Sequence, residues 1–267
     1  MINKVGGSDD IFLPKLLIKK ADINLETDLM YRFSRNKNNR FINVFNRIYP
    51  DLLLSLGQVR GNRDEEIKIC RDFLEKTRMS EKEKIEIAEN ELKKSWDAVG
   101  DNFLRALSKI MEINWSEDKP EINAYISVLP VSPRFLKEQS FFLAYKNSAS
   151  LLETTAHEIV HFLWFKKWKE VFPEIGPEQY ESPNLAWKLS EIIDPIILHC
   201  DPEINNLISP VRWGYSSFKA MKVNGIEMME YFKNIYMDCI NKKLDFKSIM
   251  EKLWDEARAH EMEIGIF

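Results

Sequence analysis

Residues 154–164 read T-T-A-H-E-I-V-H-F-L-W, and the expectations for the rest of the chain start from this stretch. His157 and His161 are spaced i, i+4, so a helix would place both imidazole rings on one face. Imidazole nitrogen is a common zinc ligand. Glu158, beside the first histidine, could take a proton from a metal-bound water without binding the metal itself. The stretch therefore predicts a helix that carries two metal ligands and a general base.

The neighbours of the two histidines favour a metal site over a chance match of the motif. The flanking side chains are uncharged and make the helix apolar almost all round: Ala156, Ile159, Val160, Phe162 and Leu163. A helix of this kind is buried. Because buried polar groups are costly without partners, the histidines and the glutamate need something to bind, and a metal ion supplies it.

The third ligand is sought downstream, since a catalytic zinc site usually has three protein ligands and one open position. Residues 189–195 read L-S-E-I-I-D-P, and Glu191 is the best candidate there. Asp194 shares its helical face and could accept a hydrogen bond from the other nitrogen of a ligating histidine. The alternative is that both carboxylates lie on a solvent-exposed face. The apolar residues around them on a helical wheel argue against that alternative.

The first part of the chain is predicted to be helical. A long amphipathic pattern runs from Ser80 to Ile113, and Ser80 with Glu83 forms an S-x-x-E capping box at its start. A second box, Ser150 with Glu153, predicts that the helix carrying the histidines starts there and ends near Trp168.

The middle part of the sequence predicts strands as well as helices. Residues 122–131 and 141–145 are rich in β-branched or aromatic residues and predict two strands. Ser182-Pro183 predicts the start of another helix, which Pro195 should kink. From about Met228 to Glu263 two more helices are expected. The predicted class is α+β and mostly helical, with a small mixed sheet beside the histidine helix. Residues 1–115 form a helical N-terminal region and 116–267 the metal-binding region, or the two form one continuous unit.

Composition narrows the function classes. The 267 residues are 45% hydrophobic and 30% charged, which suits a globular chain with a real core. The net charge of -4 offers no basic surface, so neither nucleic acid nor a membrane surface is an expected partner. The three cysteines, Cys70, Cys200 and Cys239, are expected to be reduced thiols. The short apolar run at residues 11–18 does not resemble a signal peptide, and a cytoplasmic protein is expected.

The T-T-A-H-E-I-V-H-F-L-W stretch followed by S-E-I-I-D resembles the zincin metallopeptidases, and their gluzincin branch in particular. The resemblance covers residues 122–198. It implies one zinc ion held by His157, His161 and Glu191, with Glu158 as general base. The branch often has an aspartate four residues after the ligand glutamate, whereas Asp194 follows Glu191 by three. The third histidine of the metzincin pattern is absent.

The same resemblance implies how a substrate would bind. In such enzymes the strand before the metal helix usually lies at the sheet edge, so residues 141–145 would pair with an extended peptide. The alternative is an ordinary core strand.

A hydrogen-bond donor for the oxyanion is also expected. Among the candidates, Tyr215 is favoured because Gly214 beside it predicts a tight turn; the others are Tyr180, Arg212, His199 and His260.

Two functions remain open at this point. The first is a zinc-dependent peptidase that acts on a peptide or protein substrate. The second is a non-catalytic metal-binding regulatory or protein-interaction protein, in which the helical N-terminal half binds a partner. A regulatory protease with its own recognition region combines the two. The number of protein ligands separates the first two, because four ligands close a structural site and three leave a catalytic position open. The sequence leaves the oligomeric state open.

Overall fold

The structure is a computed structural model that describes residues 11–35 and 39–265, without the side chains of residues 39, 40, 147–149 and 216. The described part of the chain is 66% helical, with one four-stranded mixed sheet and one two-stranded sheet. The predicted α+β, mostly helical class is confirmed.

The helices are α1 (Ile23–Ser34), α2 (Asn39–Ile48), α3 (Pro50–Gln58), α4 (Arg63–Ser80), α5 (Lys82–Ile110), α6 (Leu151–Val171), α7 (Leu185–Cys200), α8 (Pro202–Ile208), α9 (Met228–Asn241), α10 (Phe246–Ala259) and α11 (Glu261–Ile264). The strands are β1 (Lys15–Lys20), β2 (Glu121–Ser127), β3 (Arg134–Phe135), β4 (Ser140–Ala144), β5 (Lys222–Val223) and β6 (Ile226–Glu227). Short 3-10 helices cover Tyr145–Ser150, Pro177–Tyr180 and Ser216–Ala220.

The two predicted capping boxes differ in outcome. Ser80 is the last residue of α4, and its hydroxyl donates to the carbonyl of Thr77 at 3.2 Å. The predicted start of a helix at Ser80 is therefore wrong, because the chain closes one helix there before α5 begins at Lys82. By contrast α6 begins directly after Ser150, as predicted, and ends three residues beyond Trp168.

The described chain divides into two compact units, which do not follow the predicted boundary between residues 115 and 116. The sheet unit comprises Leu16–Ala98 and Glu121–Thr155. The α7 unit comprises Val99–Pro120 and the chain from Ala156 onward, together with residues 11–15. The four-stranded sheet thus groups with the N-terminal helices, whereas the histidine motif, the carboxylates of α7 and the two-stranded sheet belong to the α7 unit.

The sheet unit contains the strands in the order β1-β2-β4-β3. β4 pairs in parallel with β2, from Asn123 opposite Ser140 to Ser127 opposite Ala144. On its other side Ser140 and Phe141 pair with the short antiparallel β3. All residues of β4 are buried. The expectation that this strand lies at the sheet edge is therefore wrong for its first two residues, which β3 covers.

The α7 unit is built around α7. Every residue from Ala186 to Leu198 in this helix is buried, and α8, α9, α10 and α11 all contact it. The helix continues through Pro195, which lies inside it. Proline has no backbone N–H, so the carbonyl of Glu191 loses the hydrogen bond that residue 195 would otherwise donate.

Two further observations complete the fold. No helix among the described residues is long and apolar enough to cross a membrane. The three cysteines are free thiols, as expected; Cys70 and Cys239 are buried, and Cys200 is partly exposed.

Candidate metal centre

The two histidines of α6 face each other across one helical turn. Their Nε2 atoms lie 3.2 Å apart, and the rings meet edge to face with centroids 4.7 Å apart. The His161 side chain is fully buried, whereas the His157 side chain is 22% exposed. The i, i+4 spacing therefore produces the shared face that the sequence predicts, and solvent reaches it from the side of His157.

Glu191 of α7 reaches both histidines with its two carboxylate oxygens. Oε2 lies 3.3 Å from His157 Nε2, and Oε1 lies 3.5 Å from His161 Nε2. The residue is only 4% exposed, so it does not lie on a solvent-exposed face. One carboxylate thus bridges the two nitrogens that face each other.

Asp194 enters the same cluster one turn further along α7. Its Oδ2 lies 3.0 Å from His161 Nε2 and 3.7 Å from His157 Nδ1, and the side chain is fully buried. One ligand atom from each of His157, His161 and Asp194 fits within 4.8 Å. The sequence suggested that Asp194 would contact the second nitrogen of a histidine. It instead lies closest to the nitrogen of His161 that faces His157.

The spacing of these atoms fits a tetrahedral metal ion. Zinc–ligand bonds of 2.0–2.1 Å at tetrahedral angles place neighbouring donor atoms about 3.3 Å apart. The two Nε2 atoms lie 3.2 Å apart, which fits this spacing, and two different oxygens of Glu191 lie 3.3 Å from one nitrogen and 3.5 Å from the other. Two imidazoles and a carboxylate are also the donor types of catalytic zinc sites. His157, His161 and Glu191 therefore bring together the donor types of such a site.

The charges of the cluster favour a cation. Three carboxylates, those of Glu158, Glu191 and Asp194, are buried beside the two imidazoles. Burial by itself lowers the pKa of His157, but the hydrogen bond to Glu191 and the nearby carboxylate charges outweigh it and raise that pKa from 6.5 to about 9. His157 therefore carries a proton at neutral pH in the metal-free protein, and a metal ion would replace that positive charge.

Glu158 is the remaining acid of the motif. It follows His157 directly in α6, is 6% exposed, and its charge contributes to the raised pKa of His157. Its carboxylate does not belong to the donor set described above. It is suited to accept a proton from a water molecule in the centre.

The segment carrying Tyr215 is fastened to α7 beside the cluster. His199, near the end of α7, stacks on Trp213 at 3.9 Å, and its Nε2 lies 2.9 Å from the carbonyl oxygen of Arg212. Gly214 has a φ of +67°, which fits the predicted tight turn, and a Cβ there would lie 3.5 Å from Pro195 Cγ. Tyr215 itself is half-buried. The structure places its backbone near α7, and its role as oxyanion donor stays a prediction.

Two of the other candidate oxyanion donors, Tyr180 and His260, contact neighbouring side chains. Tyr180 stacks on Phe165 at 4.5 Å, and its hydroxyl donates to the carbonyl of Ile175. Phe165 in turn stacks on His161, with ring centroids 6.1 Å apart. The sequence interpretation did not include this aromatic support, although Phe165 follows His161 by one helical turn. His260 lies in a separate cluster with Tyr231, Glu256, Glu263 and Asn224.

Comparison of the chain with known protein families, with curated proteins and with solved structures finds no match.

Proposed function

We propose that the protein is a zinc-dependent hydrolase of peptide bonds, of the gluzincin type, with Glu158 as general base. The observation that carries the proposal is the convergence of His157, His161 and Glu191, with the two Nε2 atoms at the spacing of neighbouring zinc ligands. Glu158 follows His157 in the same helix. A bound zinc ion would supply Lewis acidity and make water acidic enough to ionise near neutral pH.

The chain's own residues then have separate tasks. The two imidazoles and the Glu191 carboxylate hold the ion, and the stack of Phe165 on His161 supports one ring. Glu158 takes a proton from water and later passes it to the leaving amine. The exposed part of His157 marks the side from which a substrate reaches the centre. Tyr215 is the proposed donor to the oxyanion.

The proposed substrate is a peptide or protein, and this proposal is based on the resemblance to zincins. We also propose a cytoplasmic location. Neither nucleic acid nor a membrane is proposed as a partner, because the net charge is -4 and the sequence shows no basic patch.

The test is Glu158→Gln, which keeps the size of the side chain and removes the base. The variant should bind zinc in the same ratio as the wild type, but cleave fluorescein-labelled casein about 10²–10⁴-fold more slowly, the usual contribution of a general base. Glu170→Gln is the matched control, because Glu170 is exposed on the same helix. Cleavage by Glu158→Gln at the wild-type rate would contradict the mechanism.

A second candidate is a non-catalytic metal-binding protein with a regulatory or protein-interaction role. Asp194 favours it, because its Oδ2 brings a fourth protein donor to 3.0 Å from His161 Nε2. Four permanent protein ligands would close the site. This candidate predicts bound zinc that no small external ligand can reach, together with no casein cleavage by the wild type.

A further inference from the structure

Asp194 has a position that the family resemblance does not provide for. A residue that only orients a ligating histidine contacts the ring nitrogen pointing away from the metal. Asp194 Oδ2 instead lies 3.0 Å from His161 Nε2, the nitrogen that also faces His157 Nε2 and Glu191. Its 3.7 Å distance from His157 Nδ1 is too long for a hydrogen bond.

The distance to His161 matches that of a metal ligand. Neighbouring donors on a tetrahedral zinc are about 3.3 Å apart, close to the 3.0 Å observed. The carboxylate is also fully buried. A buried carboxylate is stabilised by a nearby positive charge or by hydrogen-bond donors, and a divalent cation in the centre would supply such a charge in place of the His157 proton.

The helix around Asp194 is suited to a change in coordination. Pro195 follows directly and removes the backbone hydrogen bond to the Glu191 carbonyl, so the turn that carries both carboxylates lacks one of its helical restraints. The ring of Pro195 itself lies close to the Gly214 turn, with Cγ 3.5 Å from where a Cβ of residue 214 would lie. The turn that carries both carboxylates therefore has one backbone hydrogen bond fewer than an uninterrupted helix.

We propose that Asp194 binds the metal directly in the resting protein, as a fourth protein ligand, and that an incoming ligand displaces it. The inference rests on the proposed metal site and adds a regulation of it: the resting centre is closed, and substrate opens it. The exchange is a simple ligand substitution. The carboxylate stays ionised, an oxygen of the incoming molecule takes its place, and nothing is oxidised or reduced.

The experiment uses the full chain loaded with Co²⁺, whose visible absorption reports the ligand set, and acetohydroxamate as the external ligand. In the wild type acetohydroxamate must displace Asp194, so it should change the spectrum only at high concentration. In Asp194→Asn it should bind at least 10-fold more tightly, by roughly the 1.4 kcal/mol that a tenfold affinity change represents. Ser190→Ala is the control, because Ser190 is buried in the same helix and its hydroxyl donates to the Trp187 carbonyl.

Equal acetohydroxamate affinities in wild type and Asp194→Asn would overturn the proposal. A wild-type spectrum that stays unchanged at saturating acetohydroxamate would overturn the exchange and favour the closed, non-catalytic centre. If Asp194→Asn fails to fold, a crystal structure of the zinc-loaded wild type decides: an Asp194 oxygen within about 2.2 Å of zinc supports the inference, and one beyond about 3 Å overturns it.

These outcomes are separate from those of the proposed function. Loss of casein cleavage in Glu158→Gln, combined with equal acetohydroxamate affinities, would leave the hydrolase standing without the closing role of Asp194. Displacement of Asp194 in a protein that cleaves no peptide would leave the metal chemistry standing without the peptidase.

Discussion

At the scale of single residues, the protonation of His157 affects both metal binding and the stability of the folded protein. Its ring lies between two carboxylates, with Glu191 at 3.3 Å and Asp194 at 3.7 Å. These groups raise its pKa from 6.5 to about 9 in the metal-free protein. The proton and the metal ion therefore compete for the same place, as is usual for histidine ligands.

The raised pKa gives a pH dependence with a definite sign. A histidine whose pKa is higher in the folded than in the unfolded state contributes stability fully below about pH 6.5, and loses it as the pH rises through about 9. For the metal-free protein we expect the free energy of unfolding to fall by roughly 2–3 kcal/mol between pH 6 and pH 10 from this group.

The measurement is urea unfolding with a chelator present, on the wild type and on His157→Gln. The difference between the two proteins isolates His157 from other groups that titrate in this range. A difference that stays constant from pH 6 to pH 10 would show that the surrounding carboxylates do not stabilise the charged ring.

At the scale of elements, the turn at Gly214, which follows α8, packs against α7, the helix that carries Glu191 and Asp194. The turn at Gly214 reaches back over α7, where the rings of His199 and Trp213 stack. A Cβ at residue 214 would lie 2.9 Å from two ring atoms of Phe218, in addition to its positive φ. Glycine at this position thus permits both the backbone conformation and the close approach.

Gly214→Ala is therefore expected to destabilise the protein more than the same change at Gly225. Gly225 also has a positive φ, of +80°, but nothing lies within 4 Å of a Cβ there. Gly225→Ala should cost about 1–2 kcal/mol from its backbone conformation. Gly214→Ala should cost at least about 1 kcal/mol more, because of overpacking against Phe218. Denaturant unfolding measures both, and equal losses would contradict this packing of the turn.

At the scale of the whole molecule, the donor atoms of the centre come from two successive helices, α6 and α7, and a metal ion that binds only the folded chain should stabilise it. Zinc at 100 times its dissociation constant should add about 2.7 kcal/mol to the free energy of unfolding. For a chain of this size that corresponds to a rise of about 5–10 °C in Tm.

Thermal unfolding with and without zinc measures this rise. His161→Ala should abolish it, since the variant lacks a fully buried ligand. His199→Ala should keep it, because His199 stacks on Trp213 outside the donor set. An equal zinc-induced rise in the wild type and His161→Ala would mean that zinc binds elsewhere.

Several features of this protein follow from local sequence alone. The helical periodicity of α6 places His157 and His161 on one face, and Ser150 correctly marks its beginning. The strands at 122–131 and 141–145 are also where the pattern predicts them, within a few residues, and the region after Met228 is helical as predicted, with the short α11 in addition to the two expected helices. These features depend on residues within one or two turns of each other, which is the range that periodicity and capping describe.

Tertiary structure alone decided the rest. It placed β4 between β2 and β3, added the strand β1, and divided the described chain into units that cross the expected boundary. The tertiary packing also orients α7 so that Asp194 Oδ2 lies close to His161 Nε2, the nitrogen that faces His157. A helical pattern shows which face a side chain occupies. Which atom it meets depends on how a distant helix packs, and that is set by long-range contacts that local periodicity does not contain.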